Sequence, residues 1–185
     1  MEHLSFAELA HHPEHWFRQA EQLIAAADAC LDGVPRPHPQ RGNTEAANTR
    51  VVGQIEGGML LLAFAVENAL KGLAVHLGEH CNDDRGELKW KHREFGKHEL
   101  TKMAKRLGVE LNGRTDDLLE RLTVYALWAG RYPLPKSETI YHEKRNRQQY
   151  RSDDSALVRE LIAEWKREAG YDESAGWPYR RVGTV

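Results

Sequence analysis

The sequence predicts an all-α protein, a bundle of about five helices in a single domain. Apolar residues recur at intervals of three and four along several segments, and no segment carries a competing strand pattern. The length of 185 residues suits one domain with a sizeable core and is short for two. We therefore expect one domain over residues 1–185, with a core from about 10 to 170 and a C-terminal tail, 171–185, that bears Trp177 and Tyr179.

The first predicted helix runs from Pro13 to Asp32. Proline suits the first position of a helix, where its missing N–H is not needed, and Gly33 is a typical stop. The apolar residues of this helix are Trp16, Phe17, Leu23, Ile24 and Leu31. From Val34 to Thr49 the composition shifts to Pro, Gly, Asn and charge, which predicts a mobile loop.

The second predicted helix, roughly Thr49 to Gly78, is the longest and the most apolar. One continuous stripe comprises Ile55, Met59, Leu62, Val66, Leu70, Leu73 and Leu77. Four further apolar residues lie off that stripe, so the helix is either central in the bundle or shared with a second subunit: Leu60, Leu61, Phe64 and Val75. Its glycines each weaken helix propensity by roughly 1 kcal/mol and indicate close packing. They are Gly53, Gly57, Gly58 and Gly72.

Two shorter helices are predicted after a charged loop from Glu79 to Lys97. The third helix runs from about His98 to Leu107 and ends at Gly108, which suits a left-handed cap. The fourth begins near Thr115 and must stop before Pro133, because a residue before proline avoids the helical region.

The fifth predicted helix starts at Ser152 or Asp153. Acidic residues at its start and Lys166 and Arg167 at its end suit the helix dipole. Its core face comprises Leu157, Leu161, Ile162 and Trp165.

Composition excludes several classes of protein. A formal net charge of -2 gives no overall attraction to nucleic acid or anionic lipid, so any such binding must come from local patches. The longest apolar stretch, Met59 to Val66, is far shorter than a membrane span. The first residues lack a secretion signal, and the two cysteines, Cys30 and Cys81, then favour reduced thiols. We expect a soluble, cytoplasmic protein with no membrane partner.

A polar pair interrupts the apolar second helix. In the run Ala65-Val-Glu-Asn-Ala-Leu-Lys71, Glu67 and Lys71 lie one turn apart on one helical face. Two shorter runs follow downstream, His98-Glu-Leu100 and Arg131-Tyr-Pro133. The simplest interpretation of the polar pair is an exposed ion pair worth a few tenths of a kcal/mol.

The three runs together resemble the signature of the HEPN family (higher eukaryotes and prokaryotes nucleotide-binding). HEPN proteins are small helical bundles found in RNA-cleaving toxins, in their partners and in accessory subunits of nucleotidyltransferases. The resemblance implies that polar residues of the long helix face a groove that also receives a histidine and an arginine from later helices. The ligand-binding residues that it implies in this chain are Glu67, Lys71, His98, Arg131 and Tyr132.

Two of these residues have alternative structural roles. His98 suits proton transfer near neutral pH, but a histidine at a helix start also hydrogen-bonds nearby backbone. Arg131 suits phosphate binding through its planar fork of donors, but an arginine at the end of a helix also caps it. The sequence leaves both pairs of roles open.

Catalytic members of the family carry an arginine followed, after four to six residues, by a histidine. The next histidine after Arg131 is His142, which is too distant. Arg93 and His98 have the required spacing, but Arg93 lies in the loop before the third helix. The candidate catalytic residues are therefore His98, Arg93 and Arg131, and the departure from the family pattern argues against an RNase.

The leading interpretation is a non-catalytic or degenerate HEPN module that binds a nucleotide, RNA or a protein partner such as a nucleotidyltransferase or a toxin. One alternative is a metal-independent HEPN endoribonuclease that uses His98 with Arg93 or Arg131. Another is a dimerising helical scaffold. We expect a homodimer, because apolar residues lie on more than one face of the second helix. No cofactor is expected.

Two basic segments and two histidine clusters have competing interpretations. Leu88–Lys97 and Tyr141–Arg151 interleave cations with aromatic residues, which suits phosphate and base binding, although most charged loops are only solvated. The histidine clusters are His11, His12 and His15, and His76 and His80 with Cys81. Each offers too few ligands for a structural zinc site, so we expect no metal.

Overall fold

The computed structural model describes residues 9–34, 44–82 and 87–178, and these residues form a helical bundle with one small hairpin. The all-α prediction is confirmed. The α-helices within the described ranges are α1 (Pro13–Leu31), α2 (Glu45–His76), α3 (Leu100–Arg106), α4 (Gly113–Val124), α5 (Glu138–Lys144) and α6 (Asp154–Glu168).

Helix α2 is the centre of the bundle and contacts α1, α3, α4 and α6. Two of its glycines allow close approach of α1. A Cβ atom on Gly72 would lie 2.8 Å from the ring of Phe17, and one on Gly58 would lie 2.5 Å from the Cγ of Leu31. Gly53 and Gly57 have open space around the same position. The predicted close packing is therefore present at Gly58 and Gly72 and absent at Gly53 and Gly57.

Helix α2 also begins earlier than predicted. The Oγ1 of Thr44 accepts a hydrogen bond of 3.2 Å from the N–H of Ala47, which caps the helix at its first turn. The loop predicted up to Thr49 is therefore wrong for the residues after Thr44, because polar residues of the first helical turn resemble a loop in composition. Residues 35–43 of that loop lie outside the described residues.

Helix α2 is long and apolar enough to cross a membrane, and most of its most apolar stretch is buried inside the protein. A central position in the bundle accounts for that composition, since a helix that is buried on several sides is apolar on several sides.

A two-stranded antiparallel hairpin corrects the prediction that the chain has no strands. Strand β1 (His80–Asn82) pairs with β2 (Leu88–Trp90), and His80 faces Trp90 across the ladder. Both strands lie within the predicted charged loop. At three residues each they are too short to produce a recognisable alternation. A 3₁₀ turn, Arg93–Gly96, follows β2 and buries Phe95.

Helix α4 continues into a π-helical turn, Tyr125–Ala129. Gly130 follows it, and a Cβ atom there would lie only 2.7 Å from the Cβ of Leu60 on α2. The chain then runs through an exposed proline-rich segment to α5, which begins where the Oγ of Ser137 accepts from the N–H of Ile140. Helix α5 was not predicted, because none of its residues is buried and no apolar stripe marks it.

Helix α6 is joined to α4 by a buried ion pair. Arg121 is 2% exposed, and its two terminal nitrogens donate to both carboxylate oxygens of Asp154 at 2.6 and 2.7 Å. Residues after α6 also contact the core, since the ring of Trp177 lies 5.6 Å from the ring of Phe17. Tyr179, at the end of the predicted tail, lies outside the described residues.

Candidate functional site

A buried carboxylate organises the polar pair of α2. Glu67 is 4% exposed, and its Oε1 accepts a hydrogen bond of 2.7 Å from the Nζ of Lys71. Its Oε2 lies 2.6 Å from the Nδ1 of His98. The ion pair predicted from the spacing is therefore present, but the expectation that it is exposed is wrong, because its carboxylate is buried. Burying a carboxylate is costly unless its oxygens are partnered, and here both oxygens have partners.

The contact with Glu67 fixes the proton on the imidazole of His98. An ionised carboxylate only accepts hydrogen bonds, so Nδ1 is the donor. The other ring nitrogen, Nε2, is then an acceptor while the ring is neutral and a donor when the ring is protonated. His98 therefore combines a fixed orientation with a second ring nitrogen that a ligand can contact.

The backbone of His98 is unusual. Its φ of +58° lies in the left-handed region, where a residue with a side chain costs about 1 kcal/mol. Helix α3 consequently begins at Leu100, two residues after the predicted start. The bond to Glu67 and the neighbouring ring of Phe64, 6.2 Å from the imidazole, hold His98 in this conformation.

His98, Arg131 and Tyr132 line one cleft of about 800 Å³. Its wall comes from the end of the π turn, from the proline-rich segment and from α5. The remaining lining residues are Leu127, Trp128, Pro133, Leu134, Pro135, Lys136 and Ile140. No Asp or Glu is among them, so the cleft combines apolar and aromatic surface with two cations and a histidine.

Arg131 makes its hydrogen bonds to the fold through one nitrogen and has spare donors. Its Nη2 donates to the carbonyl oxygens of Ala126 and Leu127, and the latter bond measures 3.0 Å. This is the helix-capping role that the sequence allowed. Its Nε and Nη1 make no hydrogen bond with the described residues, so they can bind an anion while Nη2 holds the turn. The guanidinium also lies 5.6 Å from the ring of Tyr132.

Glu67 and Lys71 belong to the site only through His98. Neither lines the cleft, and the Nζ of Lys71 lies between Glu67 and the ring of Trp90, 5.8 Å away. The structure thus joins Glu67, Lys71 and His98 directly and places Arg131 and Tyr132 in the cleft that His98 also lines.

Arg93 is separate from this arrangement. It is absent from the cleft lining, its side chain is 81% exposed, and it pairs with the neighbouring Glu94 at 3.7 Å. Arg131 is therefore the arginine that shares a cleft with His98.

Sequence reasoning missed Trp128 and Lys136. Trp128 is 4% exposed, and its Nε1 is buried with no hydrogen-bond partner among the described residues. Nothing in the pattern of α4 distinguishes it from an ordinary core residue. Lys136 follows Pro133 and Pro135, whose rings restrict the backbone, and that pair of prolines was the available signal.

The π turn itself is firmly buried. Burial, and then the carboxyl of nearby Glu56, raises the pKa of Tyr125 to about 12. The phenol of Tyr125 therefore keeps its proton at any physiological pH, and it serves the core.

The two basic segments are largely committed to the fold. Phe95 is fully buried and has no face available for a base. Arg147 and Arg151 both pair with Asp117, at 3.0 and 2.8 Å. The interpretation of these segments as base-stacking surfaces is therefore wrong for Phe95, and these two arginines are held by ion pairs within the protein.

Among the described residues no group of three or more His, Cys, Asp or Glu side chains is arranged to hold a metal ion. The two histidine clusters nevertheless meet. The Nδ1 of His11 lies 2.5 Å from the Nε2 of His80.

Comparison of this chain with protein-family models, with curated proteins and with solved structures finds no match.

Proposed function

We propose that the protein binds a nucleotide or an RNA segment in the cleft lined by His98, Arg131 and Lys136, without cleaving it. The observation that carries the proposal is the composition of that cleft. Two cations and a histidine share it with aromatic and apolar side chains, and no carboxylate lines it.

Each part of the cleft suits one part of a nucleotide. The free donors of Arg131 and the ammonium of Lys136 suit a phosphate, since a planar guanidinium binds two phosphate oxygens at once. The exposed ring of Tyr132 and the neighbouring prolines suit the face of a base, and stacking on an aromatic ring contributes about 1–3 kcal/mol per base. The volume of about 800 Å³ is ample for one such ligand.

Binding is tested by fluorescence anisotropy with a labelled single-stranded RNA of about ten nucleotides, at low and moderate salt. Lys136→Gln should weaken binding about five-fold, the equivalent of about 1 kcal/mol. Arg167→Gln, on α6 and away from the cleft, is the matched control for loss of one charge. Binding that is equal in the two variants would place the ligand elsewhere, and no binding to wild type would reject the proposal.

A second function, a metal-independent endoribonuclease, is favoured by one specific observation. A histidine oriented by a buried carboxylate and held in a strained backbone is a typical arrangement for acid and base chemistry. The arrangement lacks a second general acid or base in the cleft, because His98 is the one titratable imidazole or carboxyl group among its lining residues. We therefore rank binding above cleavage.

The assignment to the HEPN family and the partner class remain proposals supported by the resemblance of the three runs. Within that proposal the partner is a nucleotidyltransferase or a toxin, and the protein is cytoplasmic. A homodimer is supported by one face of α2, where Gly53 and Gly57 have open space and Leu61 and Phe64 are half-buried. A purely structural scaffold would use the same face and leave the cleft without a ligand.

A further inference from the structure

Two histidines that are far apart in the chain share a short contact. His11 precedes α1 and His80 begins β1, and their rings are 4.4 Å apart between centroids. The facing nitrogens, Nδ1 of His11 and Nε2 of His80, are 2.5 Å apart. Two imidazole nitrogens at this distance must share one hydrogen, with one nitrogen donating and the other accepting. The contact therefore exists only while one facing nitrogen is unprotonated.

The surroundings of His80 oppose a positive charge on its ring. His80 is 9% exposed, and its second nitrogen, Nδ1, is buried with no partner among the described residues. A protonated ring would therefore bury an unpaired N–H. Burial lowers the pKa of His80 below its ordinary value, and the charges of His11 and Lys91 lower it further. Of its chain neighbours, Cys81 is uncharged as a thiol, and the carboxylate of Glu79 is paired with His92 at 3.0 Å.

The same hairpin reaches the polar cluster of α2. The ring of His80 lies 6.4 Å from that of Trp90, its partner across the ladder. Trp90 in turn lies 5.5 Å from the ring of Trp16 on α1 and 5.8 Å from the Nζ of Lys71. Movement of the hairpin would therefore change the surroundings of the cation that pairs with Glu67.

We propose that the contact between His11 and His80 is an acid-sensitive latch, which holds the hairpin against the segment before α1 at neutral pH and releases it when both facing nitrogens carry protons. The latch is independent of the proposed ligand.

The direction of the effect follows from proton linkage. In the closed state, with His11 and His80 in contact, protonation of His80 is disfavoured. The open state therefore binds more protons, and its population rises on acidification. The contribution of the contact to the stability of the closed state is therefore present above the ordinary histidine pKa of 6.5 and is lost as the pH falls below it. If His80 stays neutral when closed, lowering the pH from about 7.0 to about 5.5 raises the opening equilibrium up to about eight-fold.

Amide hydrogen exchange in the full-length protein measures this opening directly. The N–H of Lys91, which donates to the carbonyl of Glu79 at 3.1 Å, reports on the hairpin, and amides of α2 serve as the internal reference. After correction for intrinsic rates, exchange at Lys91 should rise several-fold and at most about eight-fold between pH 7.0 and 5.5. A rise below about two-fold would refute the latch.

Two variants separate the latch from general acid destabilisation. His11→Ala removes an exposed partner, so exchange at Lys91 should already be raised at neutral pH and should respond less to acid. His142→Ala, which removes an exposed histidine that pairs with Glu138 on α5, should behave as wild type. NMR titration of the His80 ring gives a second test. Its pKa should lie below the ordinary histidine value of 6.5 and should rise in His11→Ala, and a pKa unchanged by that substitution would also reject the latch.

Discussion

Replacing Glu67 by glutamine should reverse the hydrogen-bonding character of His98 while leaving the fold intact. The glutamine has the same size, its oxygen can still accept from Lys71, and its amide nitrogen can donate to the Nδ1 of His98. An imidazole that accepts at Nδ1 carries its proton at Nε2. In the neutral ring, Nε2 of His98 accepts a hydrogen bond from a ligand in the wild type, and it would donate one in the variant.

The expected magnitudes differ between stability and binding. Loss of the carboxylate weakens two charge-assisted hydrogen bonds, but Lys71 and His98 keep partners and partial exposure, so we expect unfolding to become easier by only about 1 kcal/mol. In the variant, a hydrogen-bond donor of the ligand would face the N–H of His98 Nε2, so neither donor would have an acceptor. That mismatch costs about 1–3 kcal/mol, or about 5- to 150-fold in Kd.

Long-range ¹H–¹⁵N NMR of the imidazole distinguishes the two neutral tautomers, and RNA anisotropy measures the change in Kd. Glu120→Gln is the matched control, since it also neutralises a carboxylate that is paired with a basic side chain, Arg147, outside the cleft. A wild-type protein in which the neutral ring of His98 carries its proton on Nε2 would refute the predicted tautomer. Equal RNA binding by the Glu67 and Glu120 variants would refute the predicted link between that tautomer and binding.

Four further predictions concern stability, association and activity. Arg121→Met should lower the free energy of unfolding in urea by about 3–5 kcal/mol, because it leaves the carboxylate of Asp154 buried and unpaired, and Arg121→Met with Asp154→Leu should recover much of that loss. Gly72→Ala should destabilise by about 1–2 kcal/mol through overpacking, with Gly57→Ala as the control in open space, and equal melting temperatures would contradict the packing argument. Light scattering at tens of micromolar, well above a roughly micromolar Kd, should show a dimer that Gly57→Arg converts to a monomer. Purified protein should not cleave RNA with or without chelator, and cleavage abolished by His98→Ala would establish the endoribonuclease instead.

The helices were predictable where apolar periodicity was strong. The stripe of α2 follows from spacing, since a buried 32-residue helix leaves a long regular pattern. Spacing did not distinguish Gly72, which packs closely against α1, from Gly57, which has open space around it. The hairpin and α5 were not predictable in the same way. Strands of three residues and a helix with no buried residue produce no periodic pattern of apolar residues in the sequence. The strands are defined by their pairing with each other, and α5 is marked in the sequence only by its cap, Ser137.

The candidate site was predictable as a set of residues but not as a geometry. Spacing placed Glu67 beside Lys71, yet it could not show that the carboxylate is buried or that it reaches His98, which lies in the turn before α3. Arg131 was expected either to cap a helix or to bind a ligand, and its separate nitrogens allow both. The apolar wall with Trp128 could not be predicted, because a residue that lines a cleft and one that fills a core have the same chemistry.

The π turn has a consequence for how this cleft tolerates change in chain length. A π turn holds one residue more than the α-helical turn it replaces, so Tyr125–Ala129 is equivalent to a single-residue insertion late in a helix. Removing one residue there would restore an ordinary α-helical turn, and because both kinds of turn complete one revolution, the chain after Ala129 would keep its orientation about the helix axis. Removing one residue from the α-helical part of α4 would instead rotate the chain after it by about 100° and move Trp128 and Arg131 away from their present sides. The cleft therefore tolerates a shorter chain within the π turn better than in the helix before it.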